Sequence, residues 1–277
     1  LQKVDNSLSP FNKTSIISRI NRNEKVKVDE MFSEVFQLAE KISGDTDGAF
    51  DITVAPMVNA WGFGFKTGNP PTRQTIDSLR AIVGFHTVSL QDGYVIKKNP
   101  KTMLDCSAIA KGYGTDVVAR FLKKKGVQNF MVEIGGEIVV NGNSEKLQPW
   151  RIGINKPTDD SLNTNQAIQD VVSVSNIAMA TSGNYRNFYY KNGKKYAHTI
   201  DPKTGYPVQH NILSATVFAD DCATADAYAT SFMVLGLDGA KKILEKHPEL
   251  CAYLIYSDQK GSNQIWYSPS LQKKLGK

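Results

Sequence analysis

The sequence predicts an α+β fold, mixed and largely antiparallel, with sheets packed against helices. Three observations carry that reading. Helical and strand-like stretches follow one another irregularly rather than alternating β with α, which argues against a doubly wound sheet. Short apolar runs are separated by glycine or Asn-Gly turns, the punctuation of hairpins. At 277 residues, with 41% hydrophobic and 22% charged residues, the chain is long enough to bury a core without disulfides or a structural metal.

Taken in order, Val28, Met31, Phe32, Val35, Leu38, Ala39 and Ile42 recur at helical spacing and Gly44 follows, so the pattern predicts a helix over about 28–43. Thr72 is placed to cap a second helix whose buried face is Ile76, Leu79, Ile82 and Val83, stopped by Gly84. Val88–Leu90 and Tyr94–Ile96 flank Gln91-Asp-Gly93 as a hairpin. A third helix spans about 109–125 and ends at Gly126. It leads to a strand pair, Phe130–Ile134 and Glu137–Val140, around Gly135-Gly136. Further strands are expected near Trp150–Ile154, Val171–Val174, Phe188–Tyr190, Tyr196–Ile200 and Ser214–Phe218, with a hairpin turn at Asn192-Gly193. Helices over about 222–235 and 238–246 precede a last apolar strand, Ala252–Tyr256.

Composition excludes several classes. Cys106, Cys222 and Cys251 are far apart and odd in number, which fits neither a disulfide framework nor a zinc cluster. No apolar run approaches the ~20 residues of a membrane span. The net charge of +6 comes partly from short lysine runs such as Lys123–Lys125. These lack the basic stripe interleaved with aromatics that nucleic-acid binding asks for. The chain opens at Leu1 without an apolar leader, which is compatible with an exported protein.

Familiar catalytic motifs are absent: Gly62-Phe-Gly64 has no third glycine at 67, and there is no P-loop, H-E-x-x-H pair or G-x-S-x-G elbow. Four polar segments remain. In Gly48-Ala-Phe-Asp51, Asp51 reads either as a cap for the next helix or as a functional acid. In Leu104–Gly114, Asp105 and Ser107 precede a helix whose opening turns carry Lys111. A cation is unfavourable there unless an anion such as a phosphate accompanies it; the other reading is a surface lysine, with Gly112 and Gly114 allowing close packing. His198 and Asp201 lie where a strand gives way to a turn, a setting for an acid/base group. In Ala219–Thr230, Asp226 and Thr230 are i and i+4 on one helix face, a hard-oxygen pair suited to Mg²⁺, whereas Asp220 and Asp221 complement the helix dipole.

Together these segments resemble the ApbE-type FAD:protein FMN transferases. The matching residues are Leu8-Ser-Pro-Phe11, Ser18-Arg-Ile-Asn21, Gly48–Asp51, Asp105-x5-Lys111-Gly112, Glu133-Ile-Gly-Gly136, Ala180–Gly183, His198-x2-Asp201-Pro-x2-Gly205 and Ala223-Thr-Ala-Asp226-x3-Thr230. The resemblance covers nearly the whole chain in order. It implies a T-fold-like core and a single flavin-transferase domain over 1–277, with members of the family normally carrying more chain upstream.

The resemblance also implies a site. FAD, as substrate, would lie between the family's halves with Mg²⁺ at its pyrophosphate. Asp226, Thr230 and the backbone carbonyl of Ala108 would be metal ligands. Phe11, Ala49, Phe50, Asp51, Asp105, Lys111 and Leu213 would contact FAD, with Phe11 standing where the family often has tyrosine. His198, with Lys111 and Asp226, would serve catalysis. The acceptors implied are subunits of sodium-pumping NADH:quinone reductase or Rnf-type complexes. The place implied is the periplasmic side of the inner membrane, through a lipid anchor that this chain does not contain. Two other activities fit the same residues: hydrolysis of FAD to FMN and AMP, and passive flavin carriage.

Overall fold

The computed structural model describes residues 1–63, 70–157, 167–184, 188–191 and 194–275. The chain folds as two compact units, one of residues 1–110 with 198–208, the other of 111–197 with 209–277.

In the first unit, short helices α1 (Gln2–Leu8) and α2 (Ile16–Asn21) precede the long helix α3 (Glu30–Asp45). The periodicity expected over 28–43 is real: Phe32, Val35, Phe36, Ala39 and Ile42 are buried, and the Asp29 carboxylate accepts the Phe32 N–H at 2.8 Å as the N-cap. Gly44 does not stop this helix, because it keeps helical geometry and the chain turns only at Asp47 and Gly48. Helices α4 (Ala55–Ala60) and α5 (Arg73–Arg80) follow. Thr72 caps α5 as expected, accepting from Thr75 N–H, but the helix ends before Ile82, so only Ile76 within it is fully buried. The expected hairpin forms from β1 (Val88–Gln91) and β2 (Tyr94–Lys97), with Gln91 paired to Tyr94 so that the turn is Asp92-Gly93 alone.

The second unit contains helix α6 (Ala110–Lys124) beyond its first residue. Its main sheet joins β3 (Phe130–Ile134), β4 (Glu137–Asn141), β7 (Ile177–Gly183), β10 (Ile212–Ala219), β11 (Cys251–Ser257) and β12 (Asn263–Tyr267). The strand order is β12-β11-β10-β7-β4-β3 with every ladder antiparallel. Strands β5 (Trp150–Asn155) and β6 (Ile168–Val174) form a separate ribbon. So do β8 (Phe188–Lys191) and β9 (Lys194–Ala197). Helices α7 (Cys222–Lys246) and α8 (Pro269–Leu275) complete the unit.

Strand alternation sends side chains to two cores. On one face Phe130, Val132, Val139 and Ala178 pack with Ala119 of α6 and Cys222 of α7. On the other, Ile138, Met179, Phe218 and Tyr253 pack with Ile152, Ile154, Val172 and Val174 of the ribbon and with Leu271 of α8.

The α+β prediction therefore holds. Strand β7 was not predicted: the polar-looking Ala180–Gly183 is the end of a central strand whose small residues fit beneath α7. The strand expected over Tyr196–Ile200 ends at Ala197, and Ile200 bridges Pro207 instead. The Asn192-Gly193 turn lies outside the described residues. The break expected between the helices over 222–235 and 238–246 is found at Gly236 within α7, where φ is 71°. No helix among the described residues is long and apolar enough to cross a membrane, and all three cysteines are buried and free.

Candidate active site

In the first unit, Asp51 and Asp105 are brought together by the backbone. The Asp105 N–H donates to Ile52 O at 2.7 Å, and Asn21 clamps the preceding residue from both sides: Leu104 N–H donates to Asn21 Oδ1 at 2.7 Å while Asn21 Nδ2 donates to Leu104 O at 2.8 Å. Asp51 is buried and is not a helix cap. Its Oδ1 accepts from the Thr53 N–H and hydroxyl, both at 2.7 Å, and Oδ2 accepts from Phe85 N–H at 2.7 Å. Helix α4 starts without a side-chain cap, so the capping reading of Asp51 is corrected to a loop staple: Asp51 holds Phe85, while the Thr53 hydroxyl accepts from Gly84 N–H at 2.7 Å. Burial raises its pKa even though these hydrogen bonds pull it down. Ala49 and Phe50 are buried beside it, whereas the Phe11 ring is 74% exposed. Asp105 accepts from the Ser107 N–H and hydroxyl, at 2.8 and 2.5 Å, in the turn that carries Ala108 into α6.

His198 is partly buried, with the Phe63 ring edge-on at a centroid distance of 6.4 Å. The turn beyond it is held by hydrogen bonds. Gly205 N–H donates to Asp201 O at 2.8 Å, Lys203 N–H to Asp201 Oδ1 at 2.9 Å, and Trp61 Nε1 to Gly205 O at 2.7 Å. Asp201 thus builds the turn, and Lys203 pairs with Asp47.

In the second unit, Lys111, Gly112, Asp226 and Thr230 converge where α6 meets α7. A methyl group on residue 112 would stand 2.3 Å from the Cys222 carbonyl oxygen, so glycine is what lets the helices touch. The contact hands the Gly112 N–H to Asp226 Oδ2 at 3.1 Å. Asp226 is 3% exposed, and burial pushes its carboxyl above the usual range, with Lys111 opposing that shift. Thr230, one turn on, shares a hydrogen bond with Ser182 of β7 at 3.0 Å. Asp221 caps α7 by accepting from Thr224 N–H at 2.8 Å. Leu213 lies at a bulge in β10, its carbonyl accepting from Asn184 N–H at 3.2 Å.

Two residues of this site were missed in the sequence. Glu137 opens β4 after Gly135 and Gly136, whose φ of 65° and 102° suit the tight two-residue turn. Its side chain is 2% exposed and its Oε1 pairs with Lys111 Nζ, so the counter-charge that the helix-start lysine requires is already in the chain. Burial alone would lower the Lys111 pKa, but Asp226 and then Glu137 hold it above its ordinary value. The signal for Glu137 was an acid on the strand face that otherwise carries Val139; Glu133, which the motif singled out, is exposed and lines a cavity of about 280 Å³ with Gly135, Arg151 and Thr181. Asp116, on α6, accepts from the Cys222 and Ala223 N–H groups, both at 2.8 Å, at the start of α7.

These buried acids set a pH dependence. Burial raises Asp116 to about 6 from 3.8 and Glu137 to about 7 from 4.5. The folded chain therefore binds more protons than the unfolded one over that range. The stabilisation is full below the unfolded values and is lost as pH rises through about 6 to 7. The melting temperature is expected to fall between pH 5.5 and pH 8 at constant ionic strength, and a rise over that interval would contradict this account of the two acids.

These features define an antiparallel α+β protein with an acid, a hydroxyl and a lysine gathered where two touching helices meet. The ApbE family model matches residues 1–255. The FAD:protein FMN transferase of Haemophilus influenzae is 39% identical, the alignment covering 99% of this chain and 81% of that protein. The Escherichia coli K12 protein of the same name is 35% identical, over 99% and 79% of the two chains. The solved flavin transferase ApbE of Vibrio cholerae superposes with a TM-score of 0.88 at 35% identity, over 99% of this chain and 87% of the other. The apo flavinyl transferase ApbE of Pseudomonas stutzeri gives 0.88 at 30% identity, over 100% and 85%. The chain belongs to the ApbE family.

Proposed function

We propose that the chain is a FAD:protein FMN transferase whose phosphate chemistry is supported by Asp226, Thr230 and Lys111. The observation that carries the site assignment is Asp226: a carboxylate at 3% exposure, with a hydroxyl one turn along the same helix and a lysine opposing its burial. The donor set fits a hard divalent cation. Among the described residues no group of three or more His, Cys, Asp or Glu side chains could hold a metal ion by itself; Mg²⁺ keeps waters and leans on substrate phosphates instead of an all-protein cage. Asp226, Thr230 and the Ala108 carbonyl would hold it. When bound, it supplies charge neutralisation at the FAD pyrophosphate.

The chain's own residues do the rest. Lys111 offers the N–H donors that Glu137 leaves over to a phosphate oxygen. Ala49, Phe50, Asp51, Asp105 and Leu213 border the nucleotide, and the exposed Phe11 ring stacks on the flavin. His198 takes the proton of the acceptor hydroxyl. The acceptor oxygen bonds to the FMN phosphorus, the bond to the AMP phosphate breaks, and AMP departs with the electron pair. Positioning and charge dominate such a transfer.

Acceptors of the kind found in sodium-pumping NADH:quinone reductase or Rnf-type complexes, and a periplasmic, lipid-anchored location, complete the proposal. The test is mass spectrometry of such an acceptor after incubation with the chain, FAD and Mg²⁺. An added FMN with AMP released supports the reading; FMN and AMP appearing without a modified acceptor would make the chain a hydrolase instead. His198→Ala is expected to lower transfer ~10²–10⁴-fold, and a loss under threefold ends its assignment as base.

A further inference from the structure

We infer that Glu137 makes nucleotide binding conditional on a cation, its carboxylate giving the Lys111–Asp226 cluster a net negative charge that repels the FAD pyrophosphate until a divalent ion is seated. The inference rests on the flavin reading above and adds a residue to it.

A carboxylate at 2% exposure on a strand face otherwise given to Val139 is costly unless it is compensated. Its compensation is incomplete. Oε1 holds Lys111, but Oε2 is buried with no hydrogen-bond partner among the described residues. A lysine anchored by one acid would be enough to offset the helix dipole. Two acids around it go beyond that.

With both acids ionised, Lys111 contributes one positive charge, and Asp226 and Glu137 one negative charge each. The cluster is then left with a single surplus negative charge. A pyrophosphate meeting this site meets like charge. A divalent cation on Asp226 turns the surplus from negative to positive, and the same Lys111 donors then face an attractive field. Removing Glu137's charge with its shape kept would leave Lys111 and Asp226 balanced before any cation arrives.

The experiment measures FAD affinity by flavin fluorescence in EDTA and in Mg²⁺, with the full chain as wild type and Glu137→Gln, each checked by thermal melting. In the wild type Mg²⁺ is expected to tighten binding. In Glu137→Gln the metal-free affinity should improve roughly tenfold. Raising the salt in EDTA should tighten wild-type binding, because salt screens like charges, and this measurement decides the matter if Glu137→Gln does not fold.

A metal-free affinity unchanged within twofold in Glu137→Gln, or wild-type binding in EDTA that weakens as salt rises, overturns the inference and leaves the flavin reading standing. Equal wild-type affinity in the two buffers does the same. A wild type that binds FAD in neither buffer overturns both.

Discussion

Asp226→Asn is expected to abolish most flavin transfer while leaving the protein as stable as the wild type or more so. The two halves of this result come from one fact, that the carboxylate is charged where the fold would prefer it neutral. Asn keeps the volume and keeps an oxygen for the Gly112 N–H, now 3.1 Å from Oδ2. What disappears is a charge at 3% exposure, whose burial costs several times what an exposed carboxylate would. A residue that lowers stability in place is characteristic of function rather than of packing. Loss of the cation's neutralising effect at the pyrophosphate should cost at least about a hundredfold in transfer, since such charge stabilisation is worth several kcal/mol. Transfer assays and melting curves on the same preparation check both halves. Activity within threefold of wild type, or a melting temperature several degrees lower, would show that Asp226 is structural.

The sequence made the long elements legible and left the short ones hidden, for reasons of length and partner. Helix α3 shows four turns of apolar period, and the turns at Asp92-Gly93 and Gly135-Gly136 advertise their hairpins. Helices α1, α2 and α4 have seven, six and six residues, fewer than two turns, so no periodicity can emerge from them. Strand β7 was hidden because Ala178, Ala180 and Ser182 look like loop residues until α7 is seen to need small side chains there. In the site, Asp226, Thr230 and Lys111 were readable from helical spacing and the dipole. Glu137 was not, since its partner Lys111 lies 26 residues away in sequence. Of the two readings open for Asp51, the local cap fails because its bond to Phe85 N–H spans 34 residues, beyond the reach of any local pattern.

Gly112 is where fold and chemistry meet, and Gly112→Ala is expected to damage both. The position has helical geometry, so the substitution brings no backbone strain and even gains helix propensity. The obstacle is purely space. The new methyl carbon would lie 2.3 Å from the Cys222 carbonyl oxygen, 2.7 Å from its carbon and 2.9 Å from Ala223 Cα. All three atoms are backbone, so no rotamer change relieves the contact, and α6 and α7 must separate. That separation stretches the bond from Gly112 N–H to Asp226 and the two bonds by which Asp116 holds the Cys222 and Ala223 N–H groups. Overpacking of this kind costs ~1–3 kcal/mol, and the strained hydrogen bonds add to it, so the melting temperature should drop by roughly 5–10 °C. Because Asp226 and Lys111 sit on the two helices that part, transfer should fall more than the loss of folded protein explains, even when assayed well below the melting point. Wild-type activity per folded molecule would mean that the site tolerates the separation, and that the closeness of α6 to α7 serves packing alone.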